Sequence, residues 1–163
     1  MATDETRSRG VPKFEIRQTA PQELHPLRRR VLRDDDPIAD VTDPRDDDIT
    51  ALHLGGFIDD RLVVCASLYN APPPLNPQMT SCQLRYVATD FGFHHKGFAA
   101  AVLAEAEQCL RGRGVEQLWA NARDSALGFY QAIGWSVIAG SEHLGHPPSY
   151  LPHTVIFKVL HRT

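Results

Sequence analysis

The chain has 163 residues, enough for one domain with a substantial core, and its 42% hydrophobic and 23% charged content is ordinary for a folded protein. A net charge of -3 without a basic face argues against a nucleic-acid binder, which needs clustered Lys and Arg to neutralise phosphates. No apolar run reaches the length of a membrane span, and the start MATDETRSRG lacks the apolar centre of a signal peptide, so a cytoplasmic protein is expected. Three cysteines, Cys65, Cys82 and Cys109, lack metal-type spacing and read as reduced, packed thiols.

In chain order, residues 1–11 read as a disordered start, and 12–163 as a single domain. Lys13–Gln18 alternates as a first strand. Thr19-Ala20-Pro21 then opens a helix carrying Leu24, Leu27, Val31 and Leu32. Its run Arg28-Arg29-Arg30 reads as a solvated face. Residues 34–48 hold eight aspartates broken by proline and read as a loop, either a solvated surface or a flexible acidic border that attracts a cationic second substrate. Thr50–Ile58 and Arg61–Tyr69 flank Asp59-Asp60 as a β-hairpin. His53 lies within its first strand, either half-buried for packing or in contact with a substrate. Four prolines between Asn70 and Pro77 exclude regular structure there.

Thr80–Thr89 is the next strand, and it runs into His94-His95-Lys96-Gly97-Phe98-Ala99. Beyond that, Ala99, Val102, Leu103, Ala106 and Leu110 recur with helical period, so a helix starts at the glycine. The unpaired N–H groups of such a start, together with the helix dipole, suit a phosphate. The spacing is neither the Walker loop nor the dinucleotide GxGxxG pattern. Val115–Ala122 is a further strand, followed by a short helix with Ala126, Phe129, Tyr130 and Ile133 on one face and Gly134 at its stop. Ser136–Ser141 and Thr154–Leu160 close the domain as strands, with a loop rich in histidine and proline between them. His143 and His146 lack a third ligand at recognisable spacing, so no metal is expected.

The segment from His94 to Ala99 resembles the pyrophosphate loop [QR]xxGx[GA] of the GCN5-related N-acetyltransferases, the GNAT family. The segment from Ala122 to Trp135 resembles that family's AR..A..FY...GF, and the order of elements from Lys13 onward is similar. Pro152-His153 also resembles a GPH turn of one branch. The resemblance implies a GNAT fold: a mixed, mostly antiparallel sheet of about six to seven strands, flanked by helices and splayed between two parallel strands. A bulge in the first of these opens a gap for the pantetheine arm of acetyl-CoA. Val87, Ala88 and Thr89 are then expected to bond that arm through their backbone, and His94, His95, Lys96, Gly97, Phe98 and Ala99 to hold the diphosphate. Asn121, Arg123, Ala126, Phe129 and Tyr130 complete the coenzyme site.

The implied reaction is acyl transfer from acetyl-CoA to a primary amine by direct attack in a ternary complex, with Tyr130 as the acid that protonates the departing thiolate. For the base, Asp90, His53, His143, His146, His153 and a water chain all stand open. His53, Asp90 and His153 are the candidate acceptor contacts. Two positions depart from the pattern: His94 replaces Gln or Arg and offers fewer donors, and Arg123 stands where other branches have Asn. A non-catalytic acyl-CoA-binding module is the alternative function, and the resemblance also admits a homodimer.

Overall fold

A computed structural model describes residues 10–147 and 150–161; the disordered start expected for residues 1–11 falls almost wholly outside these limits. In chain order the elements are β1 (Phe14–Gln18), α1 (Pro21–Leu32), β2 (Leu52–Ile58), β3 (Arg61–Asn70), β4 (Ser81–Thr89) and α2 (Phe98–Gly112). They continue with β5 (Gln117–Arg123), a single 3-10 turn (Asp124–Ala126), α3 (Leu127–Ala132), β6 (Ser136–Val137), β7 (His143–Leu144) and β8 (Pro152–Val159). The sheet runs β1-β2-β3-β4-β5-β8-β6, with β7 also on β8. Among the described residues only β4 and β5 pair in parallel. The eight strands exceed the expected number because β6 and β7 are two-residue pieces, the second inside what reads as a loop.

Local chemistry explains the element ends. Asp59 and Asp60, with φ of 47° and 64°, make the tight link between β2 and β3, a turn that Asp tolerates better than most residues. Pro21 sits in the first turn of α1, where a missing N–H costs nothing. Gly134, at φ 95°, supplies the left-handed stop after α3.

The sheet buries two cores. On one face Val64, Ala66, Leu68, Cys82, Leu84, Leu118, Ala120 and Ala122 pack under Val102, Leu103, Ala106 and Leu110 of α2. On the other, Cys65 and Ala88 pack under Leu24 and Leu27 of α1. The acidic segment is a loop with six of its eight aspartates exposed, but the other two turn inward. Asp43 and Asp46 are buried at 5% and 7% exposure, and Arg28 is wholly enclosed. The reading of Arg28 as part of an exposed face is therefore corrected: it lies one helical turn from Leu24 and next to Leu27, on the buried stripe.

Gly56 fits a space without room for a side chain. A Cβ there would stand 2.7 Å from the Phe14 ring, which itself stacks on Phe98 at 4.5 Å. Gly56→Ala is expected to lower stability by about 1–3 kcal/mol through overpacking, measured by denaturant unfolding.

Candidate active site at the parting of two strands

β4 and β5 pair only over Ser81–Gln83 and Gln117–Trp119. Beyond that the strands separate, and alternate backbone groups from Leu84 to Thr89 have β3 on one side and no ladder partner on the other. The cause is a bulge. Cys65 pairs with Ala88 but Ser67 pairs with Arg85, so one residue too many lies on β4, and Tyr86 takes φ 56° to absorb it. Val87 stands in the bulge, while Ala88 and Thr89 rejoin β3 opposite Cys65 and Val64.

The bulge is held by charge buried under α1. Arg28 donates to Asp46 at 3.1 Å, to Ser67 Oγ at 2.7 Å and to the Val41 carbonyl at 2.9 Å. Tyr69 donates its hydroxyl to the same carboxylate at 2.5 Å. Asp43 receives Arg45 through two nitrogens, and Arg85 at 2.9 Å. Tyr86 lies against both sets: its ring carries the Arg28 and Arg85 guanidiniums at 4.1 Å and 4.6 Å, and its hydroxyl reaches the Thr42 carbonyl at 3.3 Å. Burial alone would raise the Asp43 carboxyl, but the bonds from Arg45 and the charges of Arg45 and Arg85 outweigh it and bring it down to about 2. Asp46 is driven further down in the same way, by Tyr69 and Arg28.

Past the bulge the chain turns through Gly92, His95 and Gly97, at φ of 85°, 59° and 80°, into α2. Gly97 caps the helix in the left-handed region, where a glycine carries no Cβ penalty. His94, His95, Lys96 and Gly97 are exposed. Phe98 and Ala99 instead send their side chains into the core, Phe98 against Phe14, so these two residues offer a ligand only their backbone. The loop and the separated strands thus meet at one end of β4.

β5 supplies the other wall. Leu118, Ala120 and Ala122 face α2, so the alternate residues Asn121 and Arg123 face the α1 side. Asn121 is exposed, and Arg123 makes no hydrogen bond or ion pair among the described residues. Across the β5–β8 ladder His153 pairs with Arg123. His153 Nδ1 lies 2.6 Å from the Leu151 carbonyl, which can only accept, so that nitrogen is the donor and Nε2 is left without this bond. His143 stacks on it at 5.8 Å.

Tyr130 sits on the opposite face, packed edge-on against Phe129 and Trp135 at 5.1 Å and 5.5 Å, with Ala126 in the same cluster. Its ring is buried and its phenol is pushed up to about 12 by burial. The hydroxyl donates to no protein group among the described residues, yet it is not one of the fully enclosed unpaired atoms, so it keeps an open side.

Two expected acceptor contacts are already engaged by other side chains. His53 lies on β2, two strands from the gap, with Nδ1 on Ser67 Oγ at 2.8 Å and Nε2 on the Asp46 carbonyl at 2.9 Å. Asp90 is clamped by Arg30 at 2.7 Å and Arg61 at 3.1 Å. Burial works to raise its carboxyl, but those bonds prevail and hold it low, which unsuits it as a base. The sequence reading missed Asp43, Asp46, Ser67, Tyr69 and Tyr86; only Arg28 left a signal, its phase with Leu24, Leu27 and Val31. Among the described residues no group of three or more metal-type side chains converges, and no helix is long and apolar enough to cross a membrane.

Residues 15–135 match the Acetyltransferase (GNAT) family. The chain belongs to that family. YitI of Bacillus subtilis strain 168, named as an N-acetyltransferase, is 29% identical over 150 residues, covering 90% of this chain and 97% of its own. Among solved structures, a GNAT-family acetyltransferase from Staphylococcus aureus Mu50 superposes with a TM-score of 0.68 at 15% identity, covering 91% of this chain and 100% of that one. An aminoglycoside 6'-N-acetyltransferase complexed with coenzyme A gives 0.67 at 11% identity, covering 91% and 98%. The splayed sheet of this GNAT chain is therefore the fold of an acetyltransferase family that uses coenzyme A.

The depressed Asp43 carboxyl stabilises the fold above its unfolded value near 4, and that contribution disappears as pH falls toward 2. Acid titration followed by circular dichroism is expected to show a loss on the order of 2 kcal/mol from this group over that window. Asp43→Asn should remove most of that pH dependence while lowering stability at neutral pH.

Proposed function

We propose that the protein is an acetyl-CoA-dependent N-acyltransferase of the cytoplasm, acting on a primary amine by direct attack in a ternary complex. The observation that carries this reading is the parting of β4 from β5 at the Tyr86 bulge, beside the glycine-capped start of α2. The open backbone from Leu84 to Thr89 suits an extended, amide-containing arm lying as a substitute strand, with Val87, Ala88 and Thr89 as its partners. The N–H groups at the start of α2, with Lys96 and the exposed His94 and His95, suit the diphosphate.

The two faces of the gap divide the work. An amine arriving from the α1 side meets Arg85, Arg123 and His153, while Tyr130 lies on the α3 side. His153 Nε2 takes the proton the amine must lose, directly or through a water, and the Nδ1 bond to the Leu151 carbonyl, which orients the ring, supports that role. A new C–N bond forms and the C–S bond breaks. Tyr130, kept protonated at neutral pH by its raised pKa, gives its proton to the sulfur and is restored from solvent. Backbone N–H groups at Val87 or Ala88 stabilise the developing oxyanion.

Tyr130→Phe keeps the ring packing, so acetyl-CoA should still raise the melting temperature while amine-dependent thiol release falls by about 10²-fold. Stabilisation by acetyl-CoA without thiol release from any amine, in the unaltered protein, would instead leave a binding module. His153→Gln should remove the acid limb of the pH profile of kcat/KM and lower its plateau by about 10²-fold. A profile that keeps its limb assigns the base elsewhere.

A further inference from the structure

The eight aspartates of residues 34–48 suggest a cationic acceptor, yet the carboxylates nearest the gap are already taken. Asp46 is met by Arg28, and Asp43 by both Arg45 and Arg85, so three guanidiniums face two carboxylates. Arg28 is enclosed. Arg45 commits Nε, Nη1 and Nη2 to Asp43 and Gln83. Arg85 gives only Nη1, to Asp43, and its Nε and Nη2 have no protein partner among the described residues. Its side chain is 41% exposed. It projects from β4 on the α1 side, immediately before the bulge, where β4 has already left β5. On the facing strand Arg123 also has no partner among the described residues. The acceptor side of the gap therefore carries surplus positive charge, and Arg85 offers an unused pair of N–H donors fixed in one plane over the Tyr86 ring.

Such an edge matches a carboxylate, which accepts two parallel bonds from a guanidinium. Resting on the acyltransfer reading above, we propose that the acceptor is a small amine that also carries a carboxylate, and that Arg85 grips the carboxylate so the amine points at the thioester. Arg85 is thus a specificity-determining residue, and polyamines are poor acceptors despite the acidic sequence.

The test measures thiol release from acetyl-CoA by the full chain with the common amino acids, each beside its carboxamide and its decarboxylated amine, and with spermidine and phosphoethanolamine. The expected result is a kcat/KM at least about tenfold higher for one or more acids than for their carboxamides, the scale of one lost charge-assisted bond. Arg85→Gln should raise KM for that acid by about tenfold and bring the acid-to-amide ratio near one. Arg85→Lys should recover part of the ratio. A preference for carboxamides, spermidine or phosphoethanolamine overturns the proposal, as does a ratio that survives Arg85→Gln. The ratio in the unaltered protein decides the acceptor class even if a variant fails to fold. Thiol release with neutral amines but no preference for acids sinks only this inference, whereas no release with any amine sinks the acyltransfer reading with it.

Discussion

A wholly enclosed arginine sets the terms for this structure. Arg28 comes out of water only because Asp46, Ser67 and the Val41 carbonyl surround its guanidinium, and because the Tyr86 ring lies beneath it. Removing any one partner would leave charge without compensation in a dry place. The network therefore allows β4 few alternatives. Tyr86 must place its ring under Arg28 and its hydroxyl toward Thr42, and a strand that does so cannot keep regular register with β3. The bulge follows, in the stretch of β4 that runs without β5. Polar burial that looks costly in isolation is what holds the sheet open.

An open sheet alone would be a liability, since unpaired strand backbone invites adventitious pairing. Here the gap is short. It is closed below by the three paired residues on each of β4 and β5, and it ends above at the glycine-capped start of α2. Both features follow from the same strand, because β4 leads into the loop within a few residues of the bulge. The glycine-capped turn and the open backbone of β4 are consequently fixed relative to each other by one continuous stretch of chain. α3, delivered by β5 through the turn at Asp124, brings Tyr130 to the far wall.

The elements with strong period or strong punctuation were readable without coordinates. Asp59-Asp60 announced a hairpin, Gly97 followed by a 3.6-residue apolar repeat announced α2, and Gly134 marked the end of α3. The parallel contact of β4 with β5 was also expected, as was its splay. What escaped was the meaning of charge. Arg28, Asp43 and Asp46 look like solvated surface because single-residue polarity says nothing about pairing across 18 residues of chain. The register shift escaped for a related reason: Tyr86 is a poor residue for positive φ, and only its neighbours in space make that conformation worthwhile.

The same network ties the two substrate sides together. Asp43 accepts from Arg85 and from Arg45, and its near neighbour Asp46 accepts from Arg28, so the residue offered to the acceptor and the residue that pins the bulge share one small group of carboxylates. Altering the acceptor side by changing Asp43 would release Arg85 and loosen Tyr86 at once, because its hydroxyl lies 3.4 Å from that carboxylate. In this chain, the Arg85 side of the gap and the bulge are therefore mechanically coupled through the 43–46 segment. A substitution on the α1 side disturbs the bulge least when it falls on a residue that touches neither Asp43 nor Asp46. Arg123 and His153, on the far wall, have that freedom.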